Sequence, residues 1–96
     1  MGITSITIDT HSLVWYIHEA SNRKLSRRSL ETIQEAELYG TIYVPVITLM
    51  EIVDLAEKGR ISISFTYVAS TIEENEAYQI VPFDEELLKV AIPFSF

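Results

Sequence analysis

The chain has no cysteine among its 96 residues. It therefore carries neither a disulfide framework nor a thiolate zinc site, which suits a reducing compartment. Glycine and proline number only three each, a sparseness that excludes collagen-like and Pro/Gly-rich low-complexity classes. Long apolar runs are missing too. Nothing approaches the ~20 residues a membrane helix requires, and the N-terminus lacks the basic-then-apolar layout of a signal peptide. Met1-Gly2 opens like a myristoylation motif, but that motif needs Ser or Thr where Ile6 stands. The expectation is a soluble, cytoplasmic protein with no membrane partner. Basic residues are outnumbered by acidic ones, 7 to 14. The resulting net charge of -7 argues against a non-specific grip on nucleic acid, which needs Lys and Arg over much of a surface.

A content of 48% hydrophobic and 22% charged residues is a globular balance. The length allows one domain at most. A chain this short buries only about 60-65% of the surface its unfolded form exposes, so a partner or a second copy is expected to cover apolar surface. The few cations are unevenly spread, with Arg23, Lys24, Arg27 and Arg28 falling within six positions. They form either a local basic patch or an ordinary solvated face. At the start of a helix they oppose its dipole, at a cost of a few tenths of a kcal/mol each.

Ile3 to Ile8 is rich in β-branched residues and reads as a strand ending at Asp9. Leu13, Val14, Tyr16 and Ile17 then recur at helical spacing, which predicts a first helix over roughly 11-19 capped by Asp9 or Thr10. Ser26 caps a second helix, Leu25 and Leu30 form its hydrophobic staple, and Gly40 closes it. Thr41-Ile42-Tyr43-Val44 predicts a second strand ended by Pro45. A third helix over about 47-58 follows and stops at Gly59. Ser64 caps a fourth, in which Phe65, Val68, Ala69 and Ile72 share one face. Tyr78 to Val81 predicts a third strand, and Asp84, Glu85 and Glu86 open a fifth helix that stops before Pro93. Helices between all strands predict a parallel sheet joined by right-handed crossovers. No repeat or linker interrupts the chain.

In such a sheet, ligands bind outside the carboxyl ends of the strands. Asp9 lies there, and Glu51 lies one to two turns into the helix that leaves the second strand. Two converging carboxylates are hard oxygen ligands for Mg2+ or Mn2+, which activates water and shields phosphate charge. Bland readings stand beside this one. Asp9 serves equally as a helix cap. Thr48, Glu51, Asp54 and Lys58 share a narrow stripe of the third helix, so Glu51 serves equally as solvated surface. Thr10 either supports a ligating carboxylate or caps the helix. His11 and His18 have no third partner at metal spacing. Trp15, Tyr16, Phe65 and Tyr67 read as core or interface residues.

The segment Ile6-Thr7-Ile8-Asp9-Thr10-His11-Ser12-Leu13-Val14-Trp15 resembles the opening of VapC-type PIN domains. Lys24-Leu25-Ser26 is similar to that family's entry to its second helix. Val44-Pro45-Val46-Ile47-Thr48-Leu49-Met50-Glu51-Ile52 is similar to its second acidic motif, and Lys58-Gly59-Arg60-Ile61 to the turn behind it. The resemblance covers nearly the whole chain. It implies a three-layer α/β/α sandwich with parallel strands in the order 3-2-1, and a Mg2+- or Mn2+-dependent endoribonuclease restrained by an antitoxin protein. It also implies that Asp9 and Glu51 are metal ligands. Two further acids of the family come from a strand and helix after the helix at 84-91, so an incomplete domain of residues 1-96 with an incomplete site is expected. Such a domain would leave the first strand open on one side and the apolar Ile92-Phe96 tail uncovered, favouring a homo-oligomer. RNA would be the substrate of the intact enzyme, with little cleavage expected of this chain alone.

Two other classes compete. A non-catalytic protein-binding or dimerisation module would keep the fold and the partner surface without the chemistry. A receiver-like phosphoacceptor domain shares the α/β plan, but it expects adjacent acids after the first strand, and Asp9-Thr10-His11 lacks them.

Overall fold

The computed structural model of the chain describes residues 4-18, 23-82 and 92-94. Along the sequence the elements are β1 (Ser5–Ile8), α1 (Thr10–Ile17), α2 (Arg27–Tyr39), β2 (Thr41–Pro45), α3 (Val46–Glu57), α4 (Phe65–Glu74), β3 (Tyr78–Val81) and β4 (Ile92–Phe94). The expected fifth helix falls outside the described residues.

Local chemistry sets most of the boundaries. Asp9, Ser26 and Ser64 are the N-caps of α1, α2 and α4, and their side-chain oxygens accept from the backbone N–H groups of Ser12, Ser29 and Tyr67. Each such bond satisfies one of the amides that a helix start leaves unpaired. Leu25 is buried and Leu30 packs against the same core, as a staple at the entry to α2 requires. Pro45 closes β2 and caps α3 with no side-chain hydrogen bond, so that helix leaves the strand without a loop.

The sheet is parallel, in the order β3-β2-β1-β4. Ile6, Ile42 and Tyr78 sit side by side across three strands, and paired residues of a parallel sheet share one face. That face belongs to the core, with Ile8, Val44, Leu13, Ile33, Ile52 and Val68 also buried in it. The steps β1 to β2 to β3 cross the sheet in one direction. Right-handed crossovers therefore carry α1 to α4 over the same face. Glu37 of α2 joins Tyr16 of α1 and Tyr78 of β3 there, tying three elements through one carboxylate.

The predicted strand order 3-2-1 is the order found, but the open edge on the first strand is not. β4 pairs parallel with β1, matching Ile6 with Ile92, Thr7 with Pro93 and Ile8 with Phe94. The expectation that the remaining strands are missing is therefore corrected, since one more lies within the chain and makes β1 an inner strand. An unpaired strand edge presents a row of free N–H and C=O groups, and a short segment suffices to occupy it. Pro93 is tolerated because an edge strand need not donate on its outer side. The Ile92-Phe94 stretch thus has a place in the sheet, which removes one ground for the expected self-association.

Gly40 is fixed by crowding. An ideal Cβ there would lie 1.6 Å from the carbonyl oxygen of Thr4, which also accepts from the Thr41 N–H at 2.9 Å. A side chain at position 40 would force the start of β2 away from β1.

Candidate metal site

The parallel pairing of β1 with β2 puts their carboxyl ends at one edge, and α1 and α3 both leave from that edge. Asp9 lies in the junction between β1 and α1, half-buried, with Oδ1 accepting from the Ser12 N–H at 2.8 Å. Thr10, the next residue, is buried and donates its hydroxyl to Glu51 Oε1 at 2.9 Å. This bond spans 41 positions and carries the exposed Glu51 carboxylate to the start of α1. Both open readings of Asp9 keep their footing. It caps the helix, and it stands beside a residue that binds the second acid.

Glu51 does not belong to a simple solvated stripe. Thr48 is buried, and Asp54 is paired with Lys58 at 3.0 Å, whereas Glu51 turns to Thr10. Thr10 and Glu51 line a cleft of about 340 Å3 with His11, Ile47, Met50 and Asp54. Its rim is apolar and exposed, Ile47 at 51% and Met50 at 63%.

Among the described residues each carboxylate accepts a hydrogen bond through one oxygen, Oδ1 of Asp9 and Oε1 of Glu51. The donors are hard oxygens, which fits Mg2+ or Mn2+ rather than a soft metal. Among the described residues no group of three or more His, Cys, Asp or Glu side chains converges to hold a metal ion.

The basic cluster lies elsewhere. Arg23 and Lys24 occupy a short turn before α2, and Arg27 and Arg28 its first turn, all exposed. None of the four lines the cleft beside Glu51. Arg27 pairs with Glu31 at 3.1 Å on the surface, a contact of a few tenths of a kcal/mol. Lys24 instead stands over the Trp15 ring, 5.7 Å from its centroid.

No local pattern marks the Glu37 cluster. Its carboxylate accepts from the hydroxyls of Tyr16 and Tyr78, the latter at 2.7 Å. Burial, then the hydrogen bond to Glu37, then its negative charge push both phenols well above the ordinary tyrosine value.

In a parallel α/β sheet ligands bind outside the carboxyl ends of the strands, the edge at which Asp9 and the Thr10 bond to Glu51 lie. A family model described as the PIN domain matches residues 6-94, and the chain belongs to that family, whose members are in general nucleases that typically use divalent metals. Comparison with curated proteins and with solved structures gives no match. No helix of the described residues is long and apolar enough to cross a membrane.

Proposed function

We propose that the chain is a metal-dependent endoribonuclease of the VapC toxin type, with Asp9 and Glu51 as the carboxylates it contributes to a Mg2+ or Mn2+ site. The observation that carries this is the Thr10 bond to Glu51, which joins the residue next to Asp9 to the acid of the second motif. A bound divalent cation would supply activated water and shielding of the phosphodiester charge. Asp9 holds its carboxylate rigid through the cap bond to Ser12, and Thr10 orients that of Glu51 in the way outer partners align metal ligands. Two carboxylates leave most of an octahedral shell to water, so the pair alone binds weakly and positions RNA poorly. Arg23, Lys24, Arg27 and Arg28 would meet RNA phosphates beyond the cleft. A cysteine-free chain whose substrate is RNA fits the cytoplasm.

The test is Mn2+ titration calorimetry beside incubation with a mixed RNA pool. Weak binding lost in Asp9→Asn and in Glu51→Gln supports the site. Tight binding that survives both replacements places the metal elsewhere.

A second reading is favoured by the exposed Ile47 and Met50 on the rim of the cleft. In it the chain is a protein-binding or dimerisation module, and these residues meet a partner. Within the first reading the same rim would take an antitoxin protein or a second copy, covering the carboxylates. Light scattering of the purified chain separates a monomer from a homo-oligomer.

A further inference from the structure

We propose that the cavity beside the C-terminal end of α1 is a nucleotide site, which takes an aromatic base against Trp15 and a phosphate between Lys24 and Arg60. The cavity has a volume of about 330 Å3, and its lining includes Trp15, His18, Lys24, Arg60, Ser62 and Ile63. That is the small end of the range for clefts that hold small molecules. It shares no residue with the cleft beside Glu51.

Charge is the first argument. Lys24 and Arg60 are 36 positions apart, yet both face this cavity. Among the described residues neither forms an ion pair, whereas Arg27 and Lys58 do. Two cations that line one cavity and form no ion pair among the described residues mark a place that attracts an anion. The second argument is the ring. Trp15 is partly buried and lines the same cavity, with the Lys24 ammonium over its ring, so an aromatic face and a cation meet at one wall. A base of any identity stacks on such a face in place of the ammonium, whose long and exposed side chain then turns to meet its phosphate. Third, the His18 ring nitrogen lies 3.3 Å from the Ser62 hydroxyl, which puts a polar pair at the wall for a sugar or base edge. Ring, two cations and polar edge together match a nucleotide better than a bare anion.

The nucleotide is either free or one residue of an RNA strand. The His11 and Trp15 rings are 5.8 Å apart, and His11 also lines the Glu51 cleft. One turn of α1, a rise of about 6 Å for four residues, therefore links the two places. The strand form rests on the ribonuclease reading. The binding of a nucleotide does not.

Trp15 is the sole tryptophan, so its fluorescence reports directly on the cavity. The chain is titrated in EDTA, which silences the carboxylate pair, with adenosine and uridine 5'-monophosphate, adenosine, inorganic phosphate and an RNA tetranucleotide. Saturable quenching is expected from the monophosphates or the tetranucleotide, with adenosine and phosphate at least about tenfold weaker. Saturation by monophosphates indicates a free ligand, and saturation by the tetranucleotide alone indicates a strand. The exposed pair Lys24→Gln with Arg60→Gln should weaken binding about tenfold or more. Trp15→Leu, followed by calorimetry, should weaken it roughly five- to a hundredfold. The proposal is overturned by no saturable response to either nucleotide form, by equal affinity for inorganic phosphate, or by wild-type binding in the Lys24/Arg60 variant.

Discussion

Replacing Asp9 in two ways separates its role as a cap from its role as a ligand. In Asp9→Ala the Ser12 N–H loses its 2.8 Å acceptor at the start of a helix of only 8 residues. Loss of such a cap costs about 1 kcal/mol, within a range of roughly 0.5-2. For a domain of this size about 1 kcal/mol lowers Tm by about 4-8 °C. Asp9→Asn keeps the acceptor, since Asn caps about as well as Asp, and forfeits only the favourable charge at the helix start, a few tenths of a kcal/mol. Without metal, then, the alanine variant melts several degrees below wild type and the asparagine variant close to it. Mn2+ reverses the grouping. At ten times its dissociation constant, a cation bound only by the folded state adds about 1.4 kcal/mol by mass action. Wild type should gain that increment and both variants should lose it, because Asn offers no carboxylate. Thermal unfolding by circular dichroism, with and without Mn2+, reads all six values. The reasoning is refuted by equal metal-free melting of the two variants, or by full Mn2+ stabilisation of Asp9→Asn.

Thr10→Val removes the donor that orients Glu51, so Mn2+ affinity should fall by roughly tenfold or more, as for other partners of metal ligands. Thr10→Ser should restore it in the same calorimetric titration. Gly40→Ala should cost on the order of 3 kcal/mol or more in urea unfolding, because the added methyl meets backbone 1.6 Å away. Gly59→Ala is the contrast: φ is +68° and nothing lies within 4 Å, so only the left-handed conformation is penalised, at about 1-2 kcal/mol. The Tyr16 and Tyr78 phenols are raised above their unfolded value of 10.0, mainly by burial and then by Glu37. Stability from their neutral forms is therefore complete below pH about 10 and declines as pH climbs past it. Tyr78→Phe should lose less stability than wild type between pH 9 and 11 in urea titrations. Parallel losses in the two proteins would refute the assignment.

By itself the sequence determined what depends on neighbours a few positions apart. The caps at Asp9, Ser26 and Ser64 and the strand from Tyr78 to Val81 follow from side chains that bond amides three residues away, or from the density of β-branched residues. The candidate acids Asp9 and Glu51 were named in the same way, each from a local motif. Only the tertiary structure decided which residues meet across the chain. The Thr10 bond to Glu51 spans 41 positions and the Glu37 bonds to Tyr16 and Tyr78 span 21 and 41. Periodicity carries no information on such contacts, since they depend on how helices seat on the sheet. The place of Ile92-Phe94 beside β1 was of the same kind. Three apolar residues with a proline read as a loose tail until a free strand edge is there to receive them. The exposure of Ile47 and Met50 beside Glu51 is likewise set by how α3 packs.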